Sequence, residues 1–516
     1  MYRDQDFDQQ RKLPLNEPAL MQDLELDTLF GAMAGGDEFL FQVAKQAVLL
    51  GLQDDRETVF YRQAVLQDCL RNYSVVKDLY DLAVEAIEGR RKHWMWITGH
   101  RPASILYDAV AVLEILVGTL ARLKQVADEY ADQFESEGLT AFFTLLKEEL
   151  ADEYLATLRD HLKKLRFREG VLLSAELGKG NEGTNHVLRE SHDKKPGWIQ
   201  RILARKPPAY TYRLDPRDEA GARALSDLRD RGISLVANAA AQSAEHVLSF
   251  LLMLRTELAF YLGCVNLQRQ LAQKGVPICF PNPTPSGARR YSCVRLCDVC
   301  LALRLKRGVV GNDVDADGKG FVVITGANQG GKSTFLRSVG VAQLMMQSGM
   351  FVAAESFRAD ICRSLFTHYK REEDVTMESG KLDEELDRMS SIADALTPDS
   401  MLLLNESFAA TNEREGSEIA RQIVYALLER RVRVFFVTHL YEFARGLWED
   451  ETDGALFLRA ERETDGRRTF RLLPGEPLET SFAADMYEEV FGVRPGDQGG
   501  DDHRQAAVSR NGGDRP

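Results

Sequence analysis

The chain has 516 residues and a mass of 58.0 kDa, with 44% apolar and 28% charged residues, enough for two or three packed domains. Its 65 Lys and Arg stand against 79 Asp and Glu, a formal charge of −14, which excludes a uniformly basic nucleic-acid coat and confines any polyanion contact to a local face. Seven cysteines, an odd and small number, exclude a disulfide-framed scaffold and suit a reducing compartment, so a cytoplasmic address is expected.

The first residues lack the basic-then-apolar layout of a secretory signal. The apolar stretch 247–254 ends at Arg255 and Glu257, short of the roughly 20 residues that cross a bilayer, so no membrane partner is expected. Residues 57–88 read as helix, and Pro102 suits the first turn of the next. From there Ile105, Ala109, Val112, Leu116, Leu120, Leu123, Ala127, Tyr130 and Phe134 step by three and four, which predicts a helix of roughly 30 residues. The pattern restarts beyond Gly138 at Leu139, Phe142, Leu146, Leu150, Tyr154, Leu158 and Leu162, predicting a second long helix antiparallel to the first. A third is predicted over 237–271 from Val247, Leu251, Leu254, Leu258, Tyr261 and Val265. Between the second and third, 171–175 and 210–214 are strand-like, and a glycine turn occupies 178–183.

Six Gly and Pro residues within 275–291 stop helices and mark a boundary. Beyond it, apolar runs at 321–324, 400–404 and 432–437 alternate with helical stretches, the pattern of a parallel sheet wrapped by helices. The Gly- and Asp-rich tail 494–516 has no apolar period and is expected to be disordered.

The run Gly326-Ala327-Asn328-Gln329-Gly330-Gly331-Lys332-Ser333 fits G-x-x-x-x-G-K-[ST], after an apolar strand and before the helix that begins near Thr334. Glycines let the backbone curl so that N–H groups and a helix N-terminus face phosphate oxygens. Gly326, Asn328, Gly330, Gly331, Lys332, Ser333 and Thr334 are therefore the candidate nucleotide-binding residues, with ATP and Mg²⁺ as the expected ligands. In that reading Lys332 neutralises the terminal phosphates and Ser333 ligates the metal. The apolar run 401–404 ends in Asn405-Glu406. Glu406 can orient or activate water, whereas Asn405 offers the metal an uncharged oxygen, so slow hydrolysis is expected. A later strand ends in Thr438-His439, placing an imidazole at the same sheet edge as a second catalytic candidate.

With these motifs together, residues from about 320 to 490 resemble the ATPase domain of the MutS family of DNA mismatch-repair proteins, and the long helices resemble that family's lever or core domain. The family's G-P-N-M-G-G-K-S-T appears as residues 326–334, its Leu-Arg follow-on as Leu336-Arg337, and its T-H pair as Thr438-His439. The segment 407–416, with Thr411 and Gly416, is similar to a loop that contacts the opposite subunit.

The resemblance implies a mainly α-helical lever or core domain followed by an α/β P-loop ATPase domain of the ABC type. On that plan 1–100 is the N-terminal helical part of the core and 101–300 the lever, with an inserted segment at about 170–235. The ATPase domain then occupies 301–493. A homodimer is implied, each nucleotide site completed by the partner, with Ser379 and Gly380 as trans-contact candidates. The family's Ser-Gly-Arg-Ser-Thr-Phe reads here Ser379-Gly380-Lys381-Leu382-Asp383-Glu384. No Phe in the first 130 residues is followed two places later by Glu, so the family's Phe-x-Glu mismatch wedge is not expected.

For DNA, the candidate contacts are Lys194, Lys195, Arg201, Arg205, Lys206 and Arg213, interleaved with Trp198, Tyr210 and Tyr212 and free of Asp and Glu. A second basic run, Arg159, Lys163, Lys164, Arg166 and Arg168, reads as the outer face of its helix. Cys279, Cys293, Cys297 and Cys300 lack the paired C-x-x-C of a zinc site and read as buried apolar fillers. The alternative function is an ATP-responsive scaffold whose levers grip a protein partner.

Overall fold

The computed structural model describes residues 1–53, 55–94, 101–168, 170–190, 210–305, 308–371, 380–463 and 468–478. They form two units. The first comprises Met1–Pro14, Asp27–Gln273 and Gln347–Phe351; the second comprises Leu15–Leu26, Lys274–Met346 and the chain from Val352 onward.

In chain order the helices begin with α1 (Glu17–Asp23), which belongs to the second unit. The first unit then builds α2 (Leu26–Ala34), α3 (Glu38–Leu50), α4 (Arg56–Arg71), α5 (Tyr73–Trp94), α6 (Pro102–Tyr130), α7 (Glu137–Glu149) and α8 (Asp152–Leu165). A hairpin of β1 (Leu172–Leu177) and β2 (Gly183–Arg189) follows, and then the 55-residue α9 (Glu219–Gln273).

Of the predicted α6 stripe, Ala109, Val112, Leu116, Leu120, Leu123 and Ala127 are buried, whereas Ile105 and Tyr130 near the helix ends are half-buried. Other helices break where periodicity alone does not. The predicted helix 57–88 is interrupted at Asn72, because the Asp68 carboxylate accepts the Glu135 and Ser136 amides and the Asn72 amide donates to the Gln133 carbonyl. The stretch 139–165 is two helices, not one. It turns at Leu150–Ala151, and α8 restarts with Asp152 and Glu153 in its first turn, where carboxylates favour the helix dipole. Gly138 is not the break between helices but lies in the first turn of α7, where a Cβ would meet the Tyr61 hydroxyl at 2.6 Å.

The third long helix starts at Glu219, 18 residues before its predicted start, and so absorbs part of the segment expected to be an insertion. At 1.5 Å per residue it is about 80 Å long. Residues 178–183 turn between β1 and β2 as predicted, whereas 210–214 form no strand. Among the described residues two helices, Pro102–Gln133 and Glu219–Gln273, are long and apolar enough by composition to cross a bilayer, longer than the 247–254 stretch suggests. Of those apolar windows 44% and 61% are buried within the protein, the burial expected of core helices.

The second unit resumes at Lys274, next to the Gly- and Pro-rich stretch 275–291, and the segment after α9 supplies strands to its sheets. These are β3 (Asn282–Thr284), β4 (Tyr291–Leu296), α10 (Val299–Arg304) and β5 (Asn312–Asp315). Next come β6 (Phe321–Thr325), α11 (Lys332–Gln347), β7 (Ser356–Asp360), β8 (Leu365–Tyr369) and α12 (Lys381–Ala395). The unit closes with β9 (Met401–Asn405), α13 (Glu413–Glu429), β10 (Arg433–Val437), α14 (Tyr441–Glu449), β11 (Ala455–Arg462) and β12 (Arg468–Pro474).

One sheet runs β12-β11-β6-β10-β9-β8, all parallel except β12; the other runs β3-β7-β4-β5. The central strands β6 and β10 are buried along their whole length, which explains why they read as unbroken apolar runs. Helices α13 and α14 cover one face with Ala420, Val424, Phe443 and Leu447. Phe443 lies 5.4 Å from Phe436 and 6.3 Å from Phe321, ring centre to ring centre. Phe443→Ala should lower the stability of this unit by about 3–5 kcal/mol, read from denaturant unfolding followed by near-UV dichroism.

Candidate functional site

The parallel register brings three strand ends level. Val437 of β10 pairs with Ile324 of β6 on one side and Asn405 of β9 on the other, so the residues that follow each strand leave the sheet together. After β6 comes the glycine loop. Gly326 has φ +112°, and a Cβ there would lie 2.9 Å from the Ala460 backbone nitrogen of β11, so both conformation and space require glycine. Gln329 adds a second left-handed residue, at φ +58°. The turned backbone points the carbonyls of Gly326 and Ala327 inward, where they accept from the Lys332 ammonium at 2.8 and 2.9 Å.

Lys332 is only 4% exposed. Among the described residues it makes no ion pair; burial pulls its pKa down to about 8 against the opposing pull of the Glu406 carboxylate farther off. A buried ammonium hydrogen-bonded to two carbonyls and paired directly with no carboxylate among the described residues, at a helix N-terminus, is electrostatically suited to a phosphate. Asn328 and Ser333 are exposed, Gly330 is buried, and Gly331 and Thr334 are half-buried around it.

The two metal candidates are neighbours, since the Ser333 hydroxyl donates to Asn405 Oδ1 at 2.9 Å. The two catalytic candidates are also paired, with His439 Nε2 2.9 Å from Glu406 Oε1. A carboxylate accepts, so the ring donates from Nε2. That bond, with Lys332 and Lys370 nearby, holds the Glu406 carboxyl below its ordinary pKa against the opposing effect of partial burial. Glu406 also sits at φ +54°, a conformation unfavourable for a side chain with a Cβ. Oxygen donors at Ser333 and Asn405 suit a hard divalent cation such as Mg²⁺, and the buried Lys332 precedes Ser333 in the chain.

Several residues that support the site carry no motif. The hairpin β11–β12 packs on the loop: Arg468 donates to the Gln329 side chain at 2.6 Å, and Phe470 lies beside Gly331. The loop's helix, α11, is anchored through Arg337, which pairs with Asp298 at 2.6 Å and with Glu25. Arg337 follows the motif in sequence, but its partners lie 39 and 312 residues away, and no local spacing reveals them.

The remaining candidates are scattered or undescribed. Gly380 is the exposed residue capping α12, while Ser379 lies outside the described residues. Of the DNA candidates, Lys194, Lys195, Arg201, Arg205 and Lys206 lie outside them too, as do Trp198 and the tail 494–516. Arg213 is exposed, beside Tyr210 and Tyr212 at 95% and 87% exposure. In the second basic run, Lys164 pairs with Asp160 and Glu190, and Arg166 with Glu114. All seven cysteines are unbridged thiols, six of them buried.

Comparison with known proteins bears on this arrangement. Residues 54–274 match the family model of the MutS2 N-terminal domain, and residues 322–469 match that of MutS domain V. The DNA mismatch repair protein MutS of Porphyromonas gingivalis is 33% identical over 178 residues, covering 32% of this chain and 19% of that protein. That of Thermotoga sp. (strain RQ2) is 36% identical over 140 residues, covering 27% and 18%. That of Syntrophomonas wolfei is 33% identical over 168 residues, covering 32% and 19%. This chain belongs to the MutS family.

The matches span about a fifth of the length of those curated relatives. Within this MutS-family chain, the domain V match runs from the second residue of β6 into β12 and so encloses the glycine loop, Asn405-Glu406 and His439.

The buried lysine has a pH signature. Below pH 8 it is charged in folded and unfolded chains alike, and its burial cost is fully present. Between about 8 and the ordinary 10.5 the unfolded chain holds a proton that the folded chain has released, so stability rises with pH across that window. In nucleotide-free urea unfolding, the wild-type protein should therefore gain stability relative to Lys332→Met between pH 8 and 10.5, and not between pH 6 and 7.5.

Proposed function

We propose that this MutS-family chain binds ATP with Mg²⁺ in its glycine loop and hydrolyses it slowly, as an α/β P-loop ATPase domain of the ABC type. The observation that carries the reading is the buried Lys332 ammonium, hydrogen-bonded to two carbonyls and flanked by the Ser333–Asn405 and Glu406–His439 pairs. Gly326, Asn328, Gly330, Gly331 and Thr334 line the phosphates, and Lys332 faces their charge. Ser333 and Asn405 hold the metal, which neutralises phosphate charge when bound.

Glu406 is the water-directing group. It is ionised and already hydrogen-bonded to His439, so it can accept a proton from water while His439 keeps it oriented. Asn405 supplies an oxygen dipole in place of a charge, which weakens the hold on the metal and slows turnover.

The proposed output is engagement of DNA by the long helices in a homodimer in the cytoplasm, with Ser379 and Gly380 reaching the partner's nucleotide. The relatives are named for DNA mismatch repair, which supports DNA as the ligand class. A local basic segment at 194–213 would supply the phosphate contacts.

Calorimetry with ATP and Mg²⁺ tests the first step: wild type should release heat on binding and Lys332→Ala should not. Steady-state turnover tests the second. Glu406→Gln should keep ATP affinity and lose roughly 100-fold or more in kcat, whereas Asn405→Asp should raise kcat at limiting Mg²⁺. Salt titrations with duplex, branched and single-stranded DNA should show affinity falling steeply with salt; no binding at low salt would remove the DNA role.

A further inference from the structure

Glu406 and Phe408 both have left-handed backbones, with φ +54° and +63° on either side of Ser407. Such a turn persists only where its surroundings hold it. The Glu406 amide donates to the Val437 carbonyl at 2.8 Å. On the far side the Phe408 carbonyl lies so close to α13 that a Cβ on Gly416 would sit 2.5 Å from it, so glycine is required there. The centre of the turn is fastened by His368 of β8, a residue outside every sequence motif.

His368 is completely buried, and its ring stacks on Phe408 at 5.6 Å with an interplanar angle of 19°. Its Nε2 lies 3.1 Å from the Glu385 carbonyl oxygen in α12, and its Nδ1 lies 2.7 Å from Ser407 Oγ. A carbonyl only accepts, so Nε2 carries the proton. The single proton of the Ser407 hydroxyl then faces two acceptors, Nδ1 of the neutral ring and the carbonyl oxygen of His368, to which the hydroxyl donates at 2.7 Å. Burial first, then the nearby Arg388, depresses the imidazole to about 4, consistent with a neutral ring at physiological pH.

We infer that His368 and Ser407 are positioning residues for Glu406: their hydrogen bond holds the turn that aims its carboxylate, and the ring ties that turn to α12. Among the described residues no hydrogen bond or ring contact links either side chain to the glycine loop, so nucleotide affinity is expected to be independent of both. The inference rests on the ATPase reading above.

ATP affinity and kcat would be measured for Ser407→Ala, His368→Leu and His368→Asn, each in the wild-type and in the Glu406→Gln background. Loss of the turn's fastening should lower kcat roughly 10- to 100-fold in Ser407→Ala and His368→Leu while leaving ATP affinity intact. His368→Asn, whose amide can still bond Ser407, should recover most of the rate. In the Glu406→Gln background the same substitutions should add no further loss, because they act through a group already removed.

Equal losses in both backgrounds overturn the inference and leave the ATPase reading standing, as does an Asn variant no faster than the Leu variant. A parallel loss of affinity and rate also overturns the inference. A wild-type protein that neither binds nor hydrolyses ATP overturns both. Should Ser407→Ala fail to fold, the His368→Asn and His368→Leu pair carries the decision alone.

Discussion

An ammonium group placed inside a protein must be solvated by the protein itself, and at Lys332 that task falls to two backbone carbonyls of its own loop. Much of the α/β unit's local design follows from this. The carbonyls face inward only because the loop turns through left-handed conformations at Gly326 and Gln329. Those turns fit only because β11 presents a small residue, Ala460, against Gly326. The helix that follows is held in turn by Arg337, which is fixed by carboxylates from α10 and from the segment after α1. The lysine is therefore held in position ahead of any ligand, and the desolvation cost of its charge is met by folding rather than at binding.

The same unit solves a second problem, that of bringing residues 32 to 113 positions apart to one point. Parallel strands in register do this without any special contact. Ile324, Asn405 and Val437 are level, so the glycine loop, Glu406 and His439 emerge side by side at the C-terminal edge. The result is two hydrogen-bonded pairs, one of hydroxyl with amide and one of imidazole with carboxylate, beside a buried cation. The left-handed backbone at Glu406 and Phe408 is the cost of aiming a carboxylate from a strand end, and buried neighbours on β8, β10 and α13 offset it.

The helical unit is organised by burial stripes and by neutralised charge. Among its described residues many exposed cations already have carboxylate partners, Lys164 with Asp160 and Glu190, Arg166 with Glu114 and Arg122 with Glu85. In a chain of net charge −14 such pairing is the expected state of a surface lysine or arginine, and it lowers what Lys164 and Arg166 offer to a polyanion.

How much was legible in the sequence depended on the range of the interaction concerned. The strand–glycine loop–helix order, the stripe on α6, the turn between β1 and β2 and the apolar runs of the parallel sheet were all legible, because propensity, periodicity and turn chemistry act within a few residues. Helix ends at Asn72 and Leu150, the early start of α9 and the absence of a strand at 210–214 were not, since apolar spacing alone marks no helix end, and at Asn72 the break meets partners more than 60 residues away. The residue types able to grip phosphate and metal were determined by local sequence alone. That Ser333 meets Asn405, that His439 meets Glu406, that Arg337 finds Glu25 and that His368 fastens the turn beyond Glu406 was decided only by tertiary structure. Side-chain pairing across 33 to 312 residues depends on strand register and helix docking, and those are properties of the folded chain as a whole.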